Sequence, residues 1–197
     1  MSRRPTVKDY WYLRDMNYQL RLATLDDGPN VETLIQHSAR NLNLGDYSPE
    51  QIEGALQGAF GLDTQLIRDR TYFVVEVEGK SEDRNLVACG GWSFRKTLFG
   101  SDQREQRDPE SLDPDCDAAK IRAFFIDPAH ARRGLGSLIL DHCEMAAVER
   151  GFRRAELMAT LTGLKLYAAR GYQAGEAMEY ELGPELSITF VPMTKNL

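Results

Sequence analysis

The period of apolar and polar residues changes several times along this chain, and each change marks an element. Gln19 to Thr24 alternates, with Leu20 and Leu22 against Arg21, and predicts a first strand. Asp26-Asp27-Gly28-Pro29-Asn30 predicts a turn that ends in Asn30 as a helix N-cap. Val31, Leu34, Ile35 and Leu42 then lie on one helical face, and Ser48-Pro49-Glu50-Gln51 opens a second helix. Thr71 to Val77 and Leu86 to Ser93 predict strands, the latter with Gly90-Gly91 as a bulge or a close backbone approach. Ile121 to Ile126 is nearly all apolar and predicts a strand central in its sheet. Gly134 to Arg150 repeats apolar residues at helical spacing up to the terminating Gly151. Arg154 to Ala159 predicts a strand, Leu161 to Arg170 a helix ended by Gly171, and Tyr172 to Leu182 and Leu186 to Met193 two last strands. The result is a mixed α/β chain with a crossover helix between two sheet strands.

Composition narrows the classes. The chain has 197 residues, 42% apolar and 27% charged, as in ordinary globular proteins. A net charge of −6 with no dense Lys/Arg stripe argues against nucleic-acid binding. No apolar run approaches the ~20 residues of a membrane span, and the first 18 residues hold no secretory h-region. The expectation is a cytoplasmic protein. Cys89, Cys116 and Cys143 form no CxxC pair, so no metal site is expected. Residues 1–18 are aromatic and charged, an arm that packs either on the domain or on a second subunit of a homodimer.

The strongest chemical signal follows the apolar strand at 121–126. Asp127 to Ser137 reads DPAHARRGLGS and opens the amphipathic helix. The first N–H groups of a helix lack internal partners and sit at its positive end, and glycine lets a phosphate approach them. Arg132 and Arg133 add charge. A Walker loop needs Gly-Lys-Ser/Thr, but no lysine precedes Ser137. A dinucleotide turn needs a third glycine where Ile139 stands. The turn that binds the coenzyme A pyrophosphate remains, beside the plain alternative of a strand-to-helix connection with two turn glycines.

These residues resemble the GCN5-related N-acetyltransferase (GNAT) superfamily, whose pyrophosphate turn reads Gln/Arg-x-x-Gly-x-Gly/Ala. Ala131-Arg132-Arg133-Gly134-Leu135-Gly136 matches both glycines, with Ala131 in place of Gln/Arg. Tyr167-Ala168-Ala169-Arg170-Gly171-Tyr172 resembles the family's Tyr-x-x-x-Gly-Phe/Tyr, with Thr160 where an asparagine is frequent. The resemblance spans most of residues 19–197 as one acetyltransferase domain. It implies the acyl-CoA N-acyltransferase fold, a mixed, mostly antiparallel sheet flanked by helices.

The resemblance also implies acetyl-CoA as cosubstrate and a small-molecule primary amine as acceptor. Phe124, Phe125 and Ile126 would hold pantetheine through their backbone, and Arg132, Arg133, Gly134, Leu135, Gly136 and Ser137 would hold the pyrophosphate. Tyr167 would protonate or hydrogen-bond the leaving sulfur. Many relatives use a strand glutamate as base, but Lys120, Ile121 and Arg122 stand there, leaving Asp115 or Asp117 as candidates beside the reading of solvated loop carboxylates. His142 and Cys143 are adjacent on a helix, point about 100° apart and suit core packing. The loop Ser101 to Ala119 holds seven acids against two arginines. Its charge would attract a cationic amine such as a polyamine or an amino sugar, or serve only solubility. A catalytically silent acyl-CoA-binding module is the second functional reading.

Overall fold

A computed structural model describes residues 18–78, 84–98, 100–102, 108 and 110–197. The arm at 1–18 therefore falls, but for Tyr18, outside the described residues, as do positions 103–107 and 109 of the acidic loop. The elements in order are β1 (Tyr18–Leu22), α1 (Gly28–Leu42), α2 (Pro49–Ala55), α3 (Thr64–Arg68), β2 (Tyr72–Glu78) and β3 (Arg84–Ser93). After them come β4 (Ala119–Ile126), α4 (Leu135–Glu149), β5 (Arg154–Thr160), α5 (Leu164–Ala169), β6 (Gln173–Ala174), β7 (Met178–Gly183) and β8 (Leu186–Asn196).

The strands form one sheet in the order β1-β2-β3-β4-β5-β8-β6, with β7 also paired to β8. Every pairing is antiparallel except β4 with β5. That parallel pair is joined by α4, the crossover expected from the pattern. The mixed, mostly antiparallel sheet flanked by helices is thus the architecture the resemblance implies. β4 is central, as its apolar run predicts.

Helices cover both faces. Leu135, Ile139, Leu140 and Cys143 of α4 pack on one face with Trp92, Ile121 and Leu157. Val31, Ile35, Ile52 and Leu66 from α1, α2 and α3 pack on the other with Val74, Cys89 and Phe190. Cys143 is fully buried, and the half-buried His142 ring lies 5.9 Å from that of Phe73. Cys143 belongs to the core, and His142 packs at its edge against Phe73.

Local differences have local causes. α1 starts at Gly28, two residues before Asn30, because Asp27 organises the turn. Its carboxylate accepts from the Thr24 N–H at 2.7 Å and from Arg21 at 2.7 and 2.8 Å. Arg21 also reaches Glu76 of β2. At the next helix, Ser48 and Gln51 form a capping box. The helix expected from Leu161 begins at Leu164, because Thr160 Oγ1 accepts from the Gly163 N–H and holds 161–163 as a turn. The strand expected over 172–182 is two, β6 and β7, each bonded to β8.

The Arg21 guanidinium holds the Asp27 carboxyl down at about 2, against ~3.9 in an unfolded chain. The folded pKa is depressed, so the pair stabilises fully above about pH 4 and its contribution is lost as pH falls through 2. Asp27→Asn should flatten this part of the acid limb in melting curves recorded between pH 5 and 2. An acid limb identical to that of the native protein would show that the pair contributes nothing there.

Candidate active site

The site is built where β4 and β5 part. These strands pair only at Ala119↔Ala155 and Lys120↔Glu156. A bulge accompanies the parting. Arg122 faces Gly91 and Phe125 faces Cys89, so Ala123 and Phe124 together oppose Gly90. Ala123 takes φ +57°, and its carbonyl accepts from the Tyr72 hydroxyl at 3.2 Å. A Cβ on Gly90 would lie 2.7 Å from the Phe124 ring, and one on Gly91 2.6 Å from the Thr71 carbonyl oxygen. The glycine pair therefore marks both a bulge and a close approach.

A cavity of about 580 Å³ occupies this gap. Phe124, Leu135, Leu166 and Tyr167 in its wall belong to the cluster under α4 and α5. Phe60, Phe125, Met158 and Phe190 belong to the cluster under α1, α2 and α3. The cavity thus joins the two faces of the sheet through the gap.

The start of α4 stands at one mouth. Arg132 at φ +62° and Gly134 at φ +83° turn the chain into the helix. Gly134 gives no side-chain cap, and a Cβ there would meet nothing within 4 Å. The helix start is therefore open in front, with N–H groups free of helical partners, and fits an anion. Gly136 has another reason to be glycine. A Cβ there would lie 2.9 Å from Leu166 Cδ2, so this glycine lets α5 lie against the start of α4.

Arg132, Gly134, Leu135, Gly136 and Ser137 all line the cavity, as do Phe124, Phe125, Ile126 and Tyr167. Arg133 is not among the lining residues; it is exposed, with Nη1 3.5 Å from the Tyr18 hydroxyl. Tyr18 also bonds His130 at 2.7 Å, which ties β1 to the turn. Of the three strand residues, Phe125 turns its backbone N–H toward Cys89 of β3. By strand alternation the backbone groups of Phe124 and Ile126 face the gap. The Ile126 N–H there donates to Ser38 Oγ at 3.1 Å.

Tyr167 comes from α5, behind the Gly171 stop at φ +88°. Its ring meets Phe124 at 6.2 Å and Tyr172 at 5.8 Å, both edge to face. Burial pushes its hydroxyl well above the ordinary phenol value, so the group keeps its proton throughout the physiological range.

Neither Asp115 nor Asp117 lines the cavity, and no Asp or Glu does among the described residues. Both lie in a turn at the surface, where Asp117 accepts from the Asp113 N–H at 2.8 Å. The carboxylate of Asp102 likewise accepts from the N–H of Thr64 at the start of α3.

Sequence reasoning missed one pair beside the bulge. Arg122 and Asp63 form an ion pair at 2.8 Å, with side chains 3% and 0% exposed. Arg122 also donates to the Gly100 carbonyl at 2.8 Å and lines the cavity. The available signal was an arginine inside an apolar strand, since such a charge is buried only with a partner.

A model of the acetyltransferase (GNAT) family matches residues 37–172, more than two thirds of the chain. The chain belongs to the GNAT acetyltransferase family. Solved structures agree on the fold. A GCN5-related N-acetyltransferase from Rhodopseudomonas palustris superposes with a TM-score of 0.63 at 20% identity, over 92% of this chain and 98% of that one. PaiA N-acetyltransferase from Thermoplasma acidophilum, solved with coenzyme A, gives 0.59 at 13% identity, over 92% and 100%. The ribosomal-protein-S18-alanine N-acetyltransferase from Escherichia coli gives 0.55 at 13% identity, over 91% and 93%. No curated protein matches the chain. No described helix of this GNAT protein is long and apolar enough to cross a membrane.

Proposed function

We propose that this GNAT acetyltransferase moves an acetyl group from acetyl-CoA to a primary amine by direct attack within the β4–β5 gap. The observation that carries the reading is the continuous cavity from the open start of α4, past the gap-facing backbone of β4, to the opposite face. Arg132 and the helix start offer charge and N–H donors to a pyrophosphate. The backbone of Phe124 and Ile126 orients an extended arm in the gap as a further strand would. An N–H of that edge then faces the thioester oxygen, where negative charge develops. When bound, acetyl-CoA supplies the reactive acyl carbon and a thiolate leaving group of pKa ~8.5.

Tyr167 stands across the cavity as the donor to the departing sulfur. A phenol pushed above its ordinary ~10 does not readily surrender its proton to a thiolate of pKa ~8.5. Its contribution is therefore a hydrogen bond to developing charge, of the kind worth ~1.5–3 kcal/mol. Tyr167→Phe should lower kcat on the order of 10²-fold with little change in acetyl-CoA affinity. Equal kcat under conditions where chemistry limits the rate would reduce Tyr167 to packing.

A silent acyl-CoA-binding module is the second reading, favoured by the absence of Asp or Glu from the described lining. Thiol release from acetyl-CoA over a panel of amines separates the two. Amine-dependent release with an acetylated product identifies the enzyme; acetyl-CoA binding without transfer to any amine identifies the module.

The cationic acceptor expected from the loop at 101–119 gains no support from the lining. The described acids Asp102, Asp108, Glu110 and Asp113 each accept from backbone N–H groups or from lysine at the surface.

A further inference from the structure

We infer that the acceptor is a small primary amine carrying an apolar group, aromatic or branched aliphatic, rather than a polyamine, an amino sugar or an acidic amino acid. This rests on the acetyl-transfer reading above and names the substrate class of the same cavity. The α4 side of the cavity holds the features suited to the cosubstrate, so the acceptor is left with the opposite side. There the wall is aromatic. Phe60 meets Phe125 at 5.8 Å and Phe190 at 6.1 Å, both edge to face. Leu42 of α1 and Met158 of β5 also line it.

Charge on this wall is already balanced. Arg122 is buried against Asp63 and the Gly100 carbonyl, so its guanidinium is committed before any ligand arrives. Capturing an acceptor carboxylate would mean breaking that pair and leaving Asp63 buried without its counter-ion. The other lining cations are Arg132 of the α4 turn and Lys165 of α5. A polyamine would bring a second ammonium to an apolar wall on which no described residue is an acid, and an unpaired buried charge is costly. The hydroxyls of an amino sugar would face mainly phenyl rings, while the lining hydroxyls of Ser38 and Thr160 already accept from the Ile126 and Gly163 N–H groups. An aromatic or branched hydrocarbon loses nothing there and gains from leaving water. One polar group suits the amine itself. Asn43 lines the cavity, and with its Nδ2 donating to Ala39 at 3.1 Å, Oδ1 remains to accept from an amine N–H.

The test begins with calorimetry of acetyl-CoA, which involves no amine. Thiol release is then followed with phenethylamine, isoamylamine, putrescine, glucosamine and glutamate. Phenethylamine and isoamylamine should exceed the other three in kcat/KM by about 30-fold or more, a difference of ~2 kcal/mol from apolar burial. Met158→Glu, at a half-buried position on this wall, should lower that ratio at least tenfold and leave acetyl-CoA affinity as it was. Acetyl-CoA binding with putrescine, glucosamine or glutamate preferred overturns this inference alone. Transfer to no amine at all overturns it together with the acetyl-transfer reading. Failure of acetyl-CoA to bind overturns the acetyl-transfer reading together with it.

Discussion

Gly134→Glu should abolish binding of acetyl-CoA and of free CoA while the chain stays folded. Two physical effects act together. The residue stands before the first turn of α4, where unpartnered N–H groups and the helix dipole favour an anion. A carboxylate fixed at this point would occupy and repel the place of the pyrophosphate. The space exists for it, because a Cβ at 134 meets nothing within 4 Å. Packing therefore gives no reason for the fold to fail. The backbone gives a modest one, since φ is +83° and a side chain in that region costs roughly 1–2 kcal/mol. Gly134→Asn controls for this cost, because asparagine tolerates the left-handed region and carries no charge. Calorimetry should show a loss of at least roughly 100-fold for the glutamate variant, about 2.7 kcal/mol, and a much smaller loss for the asparagine variant. Native affinity in the glutamate variant would place the pyrophosphate elsewhere.

What was readable in advance was local along the chain. The two glycines at 134 and 136, and Tyr167 four residues before Gly171, are patterns of adjacent residues tied to one strand, one turn or one helix. Such patterns survive the reduction to a line of letters. Even there the reason was partly hidden. Gly136 reads as a second phosphate glycine, and it has a further reason to be glycine, since a Cβ there would lie 2.9 Å from Leu166, thirty residues on. The open N–H groups run from Gly134 to Ser137 at the start of α4.

The acceptor wall was not readable, because its members come from distant segments. Phe60 follows α2, Phe125 lies in β4, Met158 in β5 and Phe190 in β8, and each alone looks like an ordinary core residue. Ser38, which bonds the Ile126 N–H, had no signal beyond its place in α1. The long loop at 101–119 is legible in sequence only as charge. Its acids lie close enough together to look like a field, whereas several of the described ones accept from backbone N–H groups of turns and of a helix end. Composition reports charge, and only the fold reports whether that charge is already engaged.

The buried pair Asp63–Arg122 should prove the most sensitive point of the fold. Its two sides lie in a loop before α3 and in the central strand, so the pair pins the helical layer to β4. Each partner is tied further: Asp63 Oδ1 accepts from the Gln65 N–H at 3.0 Å as the cap of α3, and Arg122 donates to Gly100. Removing one charge strands the other in a site 0–3% exposed. Breaking such a pair from one side typically costs ~3–5 kcal/mol. Asp63→Asn keeps the shape and the cap but removes the charge, so its cost isolates the ion pair. Arg122→Met with Asp63→Asn removes both charges, and such neutral replacements are often tolerated. Urea unfolding followed by circular dichroism should therefore give Asp63→Asn the lowest midpoint, with the double variant recovering much of the loss. The recovery distinguishes an unpaired buried charge from simple loss of packing, which would make the double variant worse. An unfolding free energy for Asp63→Asn within about 1 kcal/mol of the native protein, at equal slope, would mean that water reaches Arg122 and that the pair does not hold the layer to the sheet.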